Sequence, residues 1–143
     1  MNAIGLHHVG FCVRDLDEAV VFYERFGFEA GDFIEASGPD AAIGNGLDEA
    51  HMTIRFMHRA DVVLELTRHH LGGSPAPRPP GAVGHAYIAL QVDDVQAAYD
   101  ELRAAGVAFR DAPHYVPADE AWSATALDPS GIPVVLTQFG AVA

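Results

Sequence analysis

Hydrophobic and polar side chains alternate near the start of the chain and then change to a helical spacing. Apolar residues take every second position in residues 8–13, which is the period of a strand with one packed face. From Leu16 to Phe26 apolar residues recur at helical spacing until Gly27, and Asp15 stands where a helix N-cap belongs. The pattern predicts a strand, a capped helix and a glycine stop.

The same pattern returns at a spacing of 79 residues. Asp94 takes the position of Asp15, and Gly106 takes that of Gly27. Apolar residues alternate again from Ile88 to Val92 before the second cap. A chance match rarely preserves period, cap and stop together, so the chain is predicted to contain a duplicated module.

Three strand-like segments follow each predicted helix, which gives a βαβββ module and an α+β fold. The first strand after the first helix is poorly delimited, between Phe28 and Ile43. The other predicted strands are residues 51–57 and 62–67 in the first module and residues 108–115, 122–127 and 132–139 in the second.

The predicted organisation is one domain made of two modules. The first module comprises residues 1–71 and the second residues 82–143. Between them, residues 72–81 read GGSPAPRPPG, and such a Pro- and Gly-rich segment extends neither a helix nor a central strand. We interpret it as a linker.

The alternation also assigns the two faces of the outer strands. If the apolar set packs beneath the helices, the opposite set must face away from them. Curling of the two sheets around a cavity would then bring four side chains to equivalent positions. These are His8, Glu65, Tyr87 and Val135.

Composition narrows the classes of function. The 143 residues carry 20 acidic side chains against 8 basic ones, for a formal net charge of −12. Phosphate backbones and anionic lipids favour clustered cations, so neither nucleic acid nor a membrane surface is an expected partner. All the basic residues are Arg, which excludes Schiff-base chemistry on a lysine.

The remaining sequence signals concern compartment and redox chemistry. Cys12 is the single cysteine, so neither an intramolecular disulfide nor a multi-thiolate zinc site is expected. The beginning of the sequence has no cationic segment followed by a long apolar one, and we expect a cytoplasmic protein.

With these motifs in order, the chain resembles the vicinal oxygen chelate superfamily of glyoxalases, bleomycin-resistance proteins and extradiol dioxygenases. The segments that carry the resemblance are HHVGFCVRDLDEAVVFY, VVLELT, GHAYIALQVDDVQAAYDEL and LDPSGIPVVLTQF. The resemblance implies two βαβββ modules that form a cleft. It also implies a divalent metal held by a His or Glu from the first and last strand of each module.

Carried over by position, two of the four implied metal ligands are present. His8 and Glu65 match, whereas Tyr87 stands where a second His is usual and Val135 where a Glu is usual. Val cannot ligate a metal and a neutral phenol is a reluctant ligand, so a metal-free site is favoured over a divalent metal on His8 and Glu65. His85 could restore a third ligand only if the strand shifted by two residues, about 6.6 Å.

Without a metal, His8, Glu65 and Tyr87 are the candidate catalytic residues. A carboxylate beside an imidazole orients it as an acid–base pair, and a phenol can donate to a developing oxyanion. The alternative is that these side chains line a pocket that only binds. The candidate substrate-binding residues are Cys12, His85, Trp122 and Val135.

The resulting hypothesis is an enzyme similar to lactoylglutathione lyase and methylmalonyl-CoA epimerase, a lyase or isomerase. It would transfer a proton next to a carbonyl of a small oxygenated metabolite. One alternative is a metal-free binding protein that sequesters a drug, as bleomycin-resistance proteins do, and another is a metal-free cyclase of secondary metabolism. The expected protein partner is a second copy of the chain, as a homodimer.

Overall fold

The computed structural model describes residues 2–140, which form two compact units that divide between Ala76 and Pro77. The first unit contains β1 (Val9–Cys12), α1 (Leu16–Glu24), β2 (Glu29–Ser37), α2 (Pro39–Asn45), β3 (His51–Arg59) and β4 (Val62–Leu71). The second contains β5 (Ile88–Gln91), α3 (Val95–Ala104), β6 (Ala108–Val116), β7 (Ala121–Leu127) and β8 (Pro133–Phe139).

Each unit is built around one four-stranded sheet, and the two sheets have the same topology. The strand order is β1-β4-β3-β2 in the first unit and β5-β8-β7-β6 in the second. The first and last strands of each unit pair in parallel, whereas the other pairs are antiparallel. The predicted α+β fold of two βαβββ modules is therefore confirmed.

The helix of the first unit begins and ends where the sequence predicts. The Asp15 carboxylate accepts a hydrogen bond of 2.9 Å from the backbone N–H of Glu18, which caps α1. The chain leaves the helix through Gly27, whose φ of +80° lies in the left-handed region that favours glycine. Helix α1 buries Ala19, Phe22 and Tyr23 over the sheet. The strand residues buried on that side are Phe11, Met57, Leu64 and Leu66, and Val13, which follows β1 directly, is buried as well.

The alternation in β4 predicts that Val62 packs under the helix together with Leu64 and Leu66, and this burial is wrong for Val62. Val62 is 46% exposed, although it shares the strand parity of Leu64 and Leu66. Val62 is the first residue of β4 and follows directly on the turn at residues 60–61. Its position at the end of the hairpin therefore leaves it half-exposed.

Helix α2 is absent from the sequence-based prediction, which expected only strand-like structure before Ile43. Pro39 begins it and Gly46, with φ of +65°, ends it. Its Ala42 packs with Ala50 and Met52 in a small buried cluster. The side chains at the edge of that cluster are Ala36, Ala41, Leu47 and Ile54.

The second unit repeats the packing of the first. Helix α3 buries Val95 and Leu102, and the Asp94 carboxylate caps it by accepting a hydrogen bond of 2.9 Å from the N–H of Ala97. The apolar strand residues buried on the helix side are Ala124, Ala126, Val134 and Leu136.

A turn and a buried side chain fix the last strand of the second unit. The Asp128 carboxylate accepts hydrogen bonds of 2.8 Å from the N–H groups of Ser130 and Ile132, which stabilises the turn before β8. Within β8, the buried Gln138 accepts a hydrogen bond of 2.9 Å from the N–H of Val95. That bond ties the start of α3 to the strand.

No helix in residues 2–140 is long and apolar enough to span a membrane.

Candidate functional site

Strand register determines which side chains share the face of the first sheet opposite α1. Gly10 and Phe56 both pair with Glu65, and residues directly opposite each other on paired strands have side chains on the same face. His8 precedes Gly10 by two residues and therefore lies on this face too. We call it the open face of the first unit.

His8 and Glu65 are in contact on the open face. His8 immediately precedes β1 and Glu65 lies in the middle of β4, and the parallel pairing of these strands brings the side chains together. His8 Nε2 lies 3.4 Å from Glu65 Oε2, with 34% and 25% of the two side chains exposed. The pair is thus partly desolvated yet accessible, which suits an acid–base pair.

Neighbouring side chains orient both members of the pair. The Thr67 hydroxyl donates a hydrogen bond of 3.3 Å to Glu65 Oε1. His7 Nδ1 and His8 Nδ1 are 2.7 Å apart and share a hydrogen bond. The ring of His8 also meets the ring of Phe56 edge to face, with centroids 5.8 Å apart. These contacts restrict the orientation of the imidazole and of the carboxylate.

Cys12 lies on the same face, two residues beyond Gly10 and opposite Thr67 in the β1–β4 pairing. Its side chain reaches solvent, but part of the thiol is covered by neighbouring atoms. This burial, and secondarily the negative charge of Glu65, raises the pKa of the Cys12 thiol above its ordinary value. Cys12 is therefore a neutral thiol at neutral pH, which argues against a nucleophilic thiolate.

Helix α2 covers the other end of the open face. Met52 and Ile54, which pack against α2 or its cluster, alternate with residues of the opposite face and share the parity of Phe56. The helix therefore leaves the end that carries His8 and Glu65 accessible and fills the far end with apolar contacts. No amphipathic pattern predicts this cover, because α2 has only seven residues and lies between Gly38 and Gly46.

The second unit contains a cavity of about 570 Å³ on the face opposite α3. Three of the predicted site residues line it, namely His85, Tyr87 and Val135. Tyr87 immediately precedes β5 and is 61% exposed. His85 also donates from Nδ1 to the carbonyl oxygen of Arg78, at 3.0 Å, because a carbonyl can only accept.

Trp122 is not among the residues that line this cavity. It pairs with Gln138 and Tyr115 across the strands, so its side chain lies on the opposite face of the sheet from Ser123. Its ring contacts that of Tyr115, with centroids 5.8 Å apart. Trp122, a substrate-binding candidate in the sequence analysis, therefore lies on the face of the sheet away from this cavity.

The cavity also contains polar residues that the sequence-based prediction did not select. Strand β6 contributes Arg110, Asp111 and His114, and β7 contributes Ser123 and Thr125. Register shifts interrupt β6 between Phe109 and Asp111 and again between Asp111 and His114. Because a bulge breaks the two-residue period, alternation along the sequence could not assign these side chains to a face.

Comparison with models of protein families identifies the family to which these features belong. The model of the Glyoxalase/Bleomycin resistance protein/Dioxygenase superfamily matches residues 5–136. The chain belongs to this superfamily. Its name covers enzymes as well as resistance proteins, so membership leaves the particular activity open. Among curated proteins, no match was found.

Solved structures with the same fold include both glyoxalases and resistance proteins. A glyoxalase family protein from Bacillus cereus is 21% identical with a TM-score of 0.83, covering 98% of this chain and 97% of that one. The trypanothione-dependent glyoxalase I of Leishmania major is 21% identical with a TM-score of 0.67, covering 95% and 87%. The fosfomycin resistance protein FosX of Listeria monocytogenes is 16% identical with a TM-score of 0.67, covering 98% and 96%. At these identities the likeness shows the fold alone.

The donor set of this chain differs from the metal site that the resemblance implies. FosX of Listeria monocytogenes has been solved with Mn(II). Across residues 2–140 of this chain, no group of three or more His, Cys, Asp or Glu side chains has metal-binding geometry. A catalytic metal commonly takes three protein ligands, and His8 with Glu65 supplies two. These residues do not fit such a metal centre by themselves.

Proposed function

We propose that this chain is an enzyme that transfers a proton at a carbon next to a carbonyl of a small oxygenated metabolite, as an isomerase or lyase. The observation that supports it is the contact of 3.4 Å between His8 Nε2 and Glu65 Oε2 on an accessible sheet face. A carboxylate and an imidazole at this distance form an acid–base pair when one of them faces a substrate.

The proposed step uses the two groups in sequence. The Glu65 carboxylate accepts the proton as the C–H bond breaks, and the electron pair moves onto the carbonyl oxygen as an enolate. His8, as an imidazolium, then returns a proton to the same carbon or to its neighbour, which gives an epimer or an isomer. The hydrogen bond that Thr67 donates to Glu65 and the one that His7 and His8 share keep both groups oriented.

We propose ligand binding for each unit by itself, at the face around His8 and Glu65 in the first unit and in the cavity of the second unit. Cys12 beside the pair contributes a neutral thiol, and Val135 in the cavity contributes apolar surface. Tyr87, which the sequence assigns to catalysis, lines the cavity with an exposed side chain. We propose that its phenol donates a hydrogen bond to an oxygen of a molecule bound in that cavity.

The test is exchange of substrate hydrogen with solvent. The protein is incubated in D₂O with hydroxyacetone, with the hemithioacetal of methylglyoxal and glutathione, or with a 2-methyl-branched acyl thioester. Loss of the proton signal next to the carbonyl is followed by NMR. Glu65→Gln and His8→Ala should each slow exchange by about 10²-fold or more.

Glu35→Gln is the matched control. Glu35 pairs with His51 at 2.8 Å in the same sheet, and its register with Thr53 puts it on the opposite face from Glu65. The exchange rate of this variant should equal that of the unchanged protein. Equal rates in Glu65→Gln and in the unchanged protein would refute the proposal.

The second candidate function is sequestration of a small cationic molecule without chemistry, as in bleomycin-resistance proteins. The net charge of −12 favours it, since an acidic protein attracts cations. Calorimetry separates the two functions. A ligand that binds with equal affinity to the unchanged protein and to Glu65→Gln, and that exchanges no hydrogen, supports sequestration.

We further propose a homodimer, which light scattering on the eluted protein would test.

A further inference from the structure

The cavity of the second unit contains an imidazole and a carboxylate that the proposed proton transfer does not use. His114 Nδ1 lies 3.4 Å from Asp111 Oδ2, and both residues line the cavity of about 570 Å³. They come from the bulged strand β6, which explains why two residues at a spacing of three lie side by side.

The surroundings of His114 determine which of its nitrogens carries the proton. His114 Nδ1 also lies 3.1 Å from the carbonyl oxygen of Ala112. Because a carbonyl oxygen can only accept, Nδ1 must be the protonated nitrogen of the neutral ring. The other nitrogen, Nε2, is then a hydrogen-bond acceptor. This is the arrangement in which a carboxylate and a carbonyl prepare an imidazole to accept a proton from a bound group.

Asp111 contacts this ring without a hydrogen bond, and its charged partner is Arg110. Its Oδ2 atom is excluded from solvent and accepts no hydrogen bond from the described residues. Its Oδ1 atom lies 3.5 Å from Arg110 Nε, and Arg110 in turn donates to the Thr125 hydroxyl at 3.2 Å. Arg110 is therefore already engaged by two partners of its own unit.

The cavity walls favour donors over acceptors in a ligand. The carboxylates of Asp111 and Asp119 outnumber the guanidinium of Arg110, and the whole chain has a net charge of −12. The other titratable groups on the wall are Tyr87 and His85, and His85 Nδ1 donates a hydrogen bond to the backbone carbonyl oxygen of Arg78. This excess of negative charge would repel an anionic ligand. The hydroxyl or ammonium group of a neutral or cationic ligand could instead donate hydrogen bonds to acceptors on the wall.

We propose that His114, oriented by Asp111 and Ala112, is the hydrogen-bond acceptor of a ligand site in the second unit that selects small neutral or cationic molecules bearing hydroxyl or ammonium donors. The inference deepens the proposed function, on which it rests for assigning this cavity to substrate. Its test measures binding alone. A failure of binding is therefore distinguishable from a failure of the proton transfer at His8 and Glu65.

Three probes of one ring skeleton and different charge test the selectivity. Glucosamine is cationic, glucose is neutral and glucuronate is anionic near neutral pH. Binding to the full chain is followed through the ring signals of His114 in ¹H–¹³C NMR spectra, which the His114→Gln variant assigns. The expected order of affinity is glucosamine, then glucose, then glucuronate, with at least about tenfold between the first and the last.

Two substitutions at position 114 test the role of Nε2. Gln reaches the position of Nε2 and retains an acceptor there, whereas Asn reaches only the position of Nδ1. His114→Gln should therefore keep most of the glucosamine affinity and His114→Asn should lose it, both read by calorimetry. Thermal unfolding of each variant verifies that the fold is intact.

Asp111→Asn tests the charge. Removing this carboxylate should weaken the binding of glucosamine more than that of glucose, because glucosamine alone carries a positive charge. Tightest binding of glucuronate, absence of binding by all three probes, or equal loss in His114→Gln and His114→Asn would each overturn the proposal.

Discussion

The Thr67 hydroxyl donates to the same carboxylate that His8 contacts, with 3.3 Å between Thr67 Oγ1 and Glu65 Oε1. Thr67 is 5% exposed and Glu65 is only partly covered. The hydroxyl therefore anchors one oxygen of Glu65 from the buried side and leaves the other to His8.

Thr67→Val removes this anchor while preserving the shape of the side chain. We expect solvent exchange of substrate hydrogen to slow by about five- to tenfold, the effect of about 1 kcal/mol of lost orientation. The rate is measured as for Glu65→Gln. Thr53→Val is the control, since the Thr53 hydroxyl bonds His70 instead, at 3.0 Å. An equal loss in both variants would mean that a general effect on the sheet, rather than the anchor, sets the rate.

Cys12 should ionise at a higher pH than an ordinary cysteine, because burial and then the Glu65 charge raise the pKa of its thiol. A raised pKa disfavours the thiolate, so the pH midpoint for alkylation by iodoacetamide should lie above that of the unfolded chain. Cys12 is the single cysteine, so the rate reports on one site.

Glu65→Gln separates the two causes. It removes the negative charge but not the burial, so the alkylation midpoint should move down only part of the way. Glu35→Gln should leave the midpoint in place. If Glu65→Gln also leaves it unchanged, the carboxylate does not act on the thiol.

The purified protein is expected to contain well below one equivalent of divalent metal. The physical reason is the donor set, in which His8 and Glu65 are two ligands where three are usual. Elemental analysis of protein prepared without a histidine tag measures the content. A stoichiometric ion that is lost in His8→Ala would contradict the expectation and restore a metal to the first unit.

Gly72 and Gly81 provide a paired test of backbone packing. Both have positive φ, +86° and +81°. A Cβ at Gly72 would collide with the carbonyl oxygen of Glu49, whereas one at Gly81 meets nothing within 4 Å. Gly81→Ala should therefore cost about 1 kcal/mol of unfolding free energy and Gly72→Ala about 3 kcal/mol.

Denaturant unfolding of both variants measures these costs. The two positions share the conformational penalty, so their difference reports the collision with Glu49. Equal costs would mean that the segment after β4 moves aside.

Much of the fold could be predicted because the duplicated module repeats three signals at once. Asp15 and Asp94 cap their helices as the spacing indicates, and Gly27 and Gly106 both have positive φ. Alternation also gave the face of β1 and β4 correctly around Glu65. These signals are local, so they survive without any knowledge of tertiary contacts.

The parts that could not be predicted depend on irregular or exposed backbone. Strand β2 lies at a sheet edge with mostly exposed side chains, so its apolar and polar residues do not alternate in a way that predicts a strand. Helix α2 is held by the cluster around Met52 rather than by an amphipathic pattern of its own. In β6 the register shifts remove the period that would have pointed to Asp111 and His114.

The parallel pairing of β1 with β4 has a consequence for the order of folding. Strands β3 and β4 are adjacent in sequence, so their hairpin can form from local contacts. Pairing of β1 with β4 closes a loop that contains α1, β2, α2 and β3. Contacts that close long loops form late and slowly. Because His8 directly precedes β1, its contact with Glu65 forms only when this loop closes. Partially folded chains would carry the hairpin and yet lack the contact between His8 and Glu65.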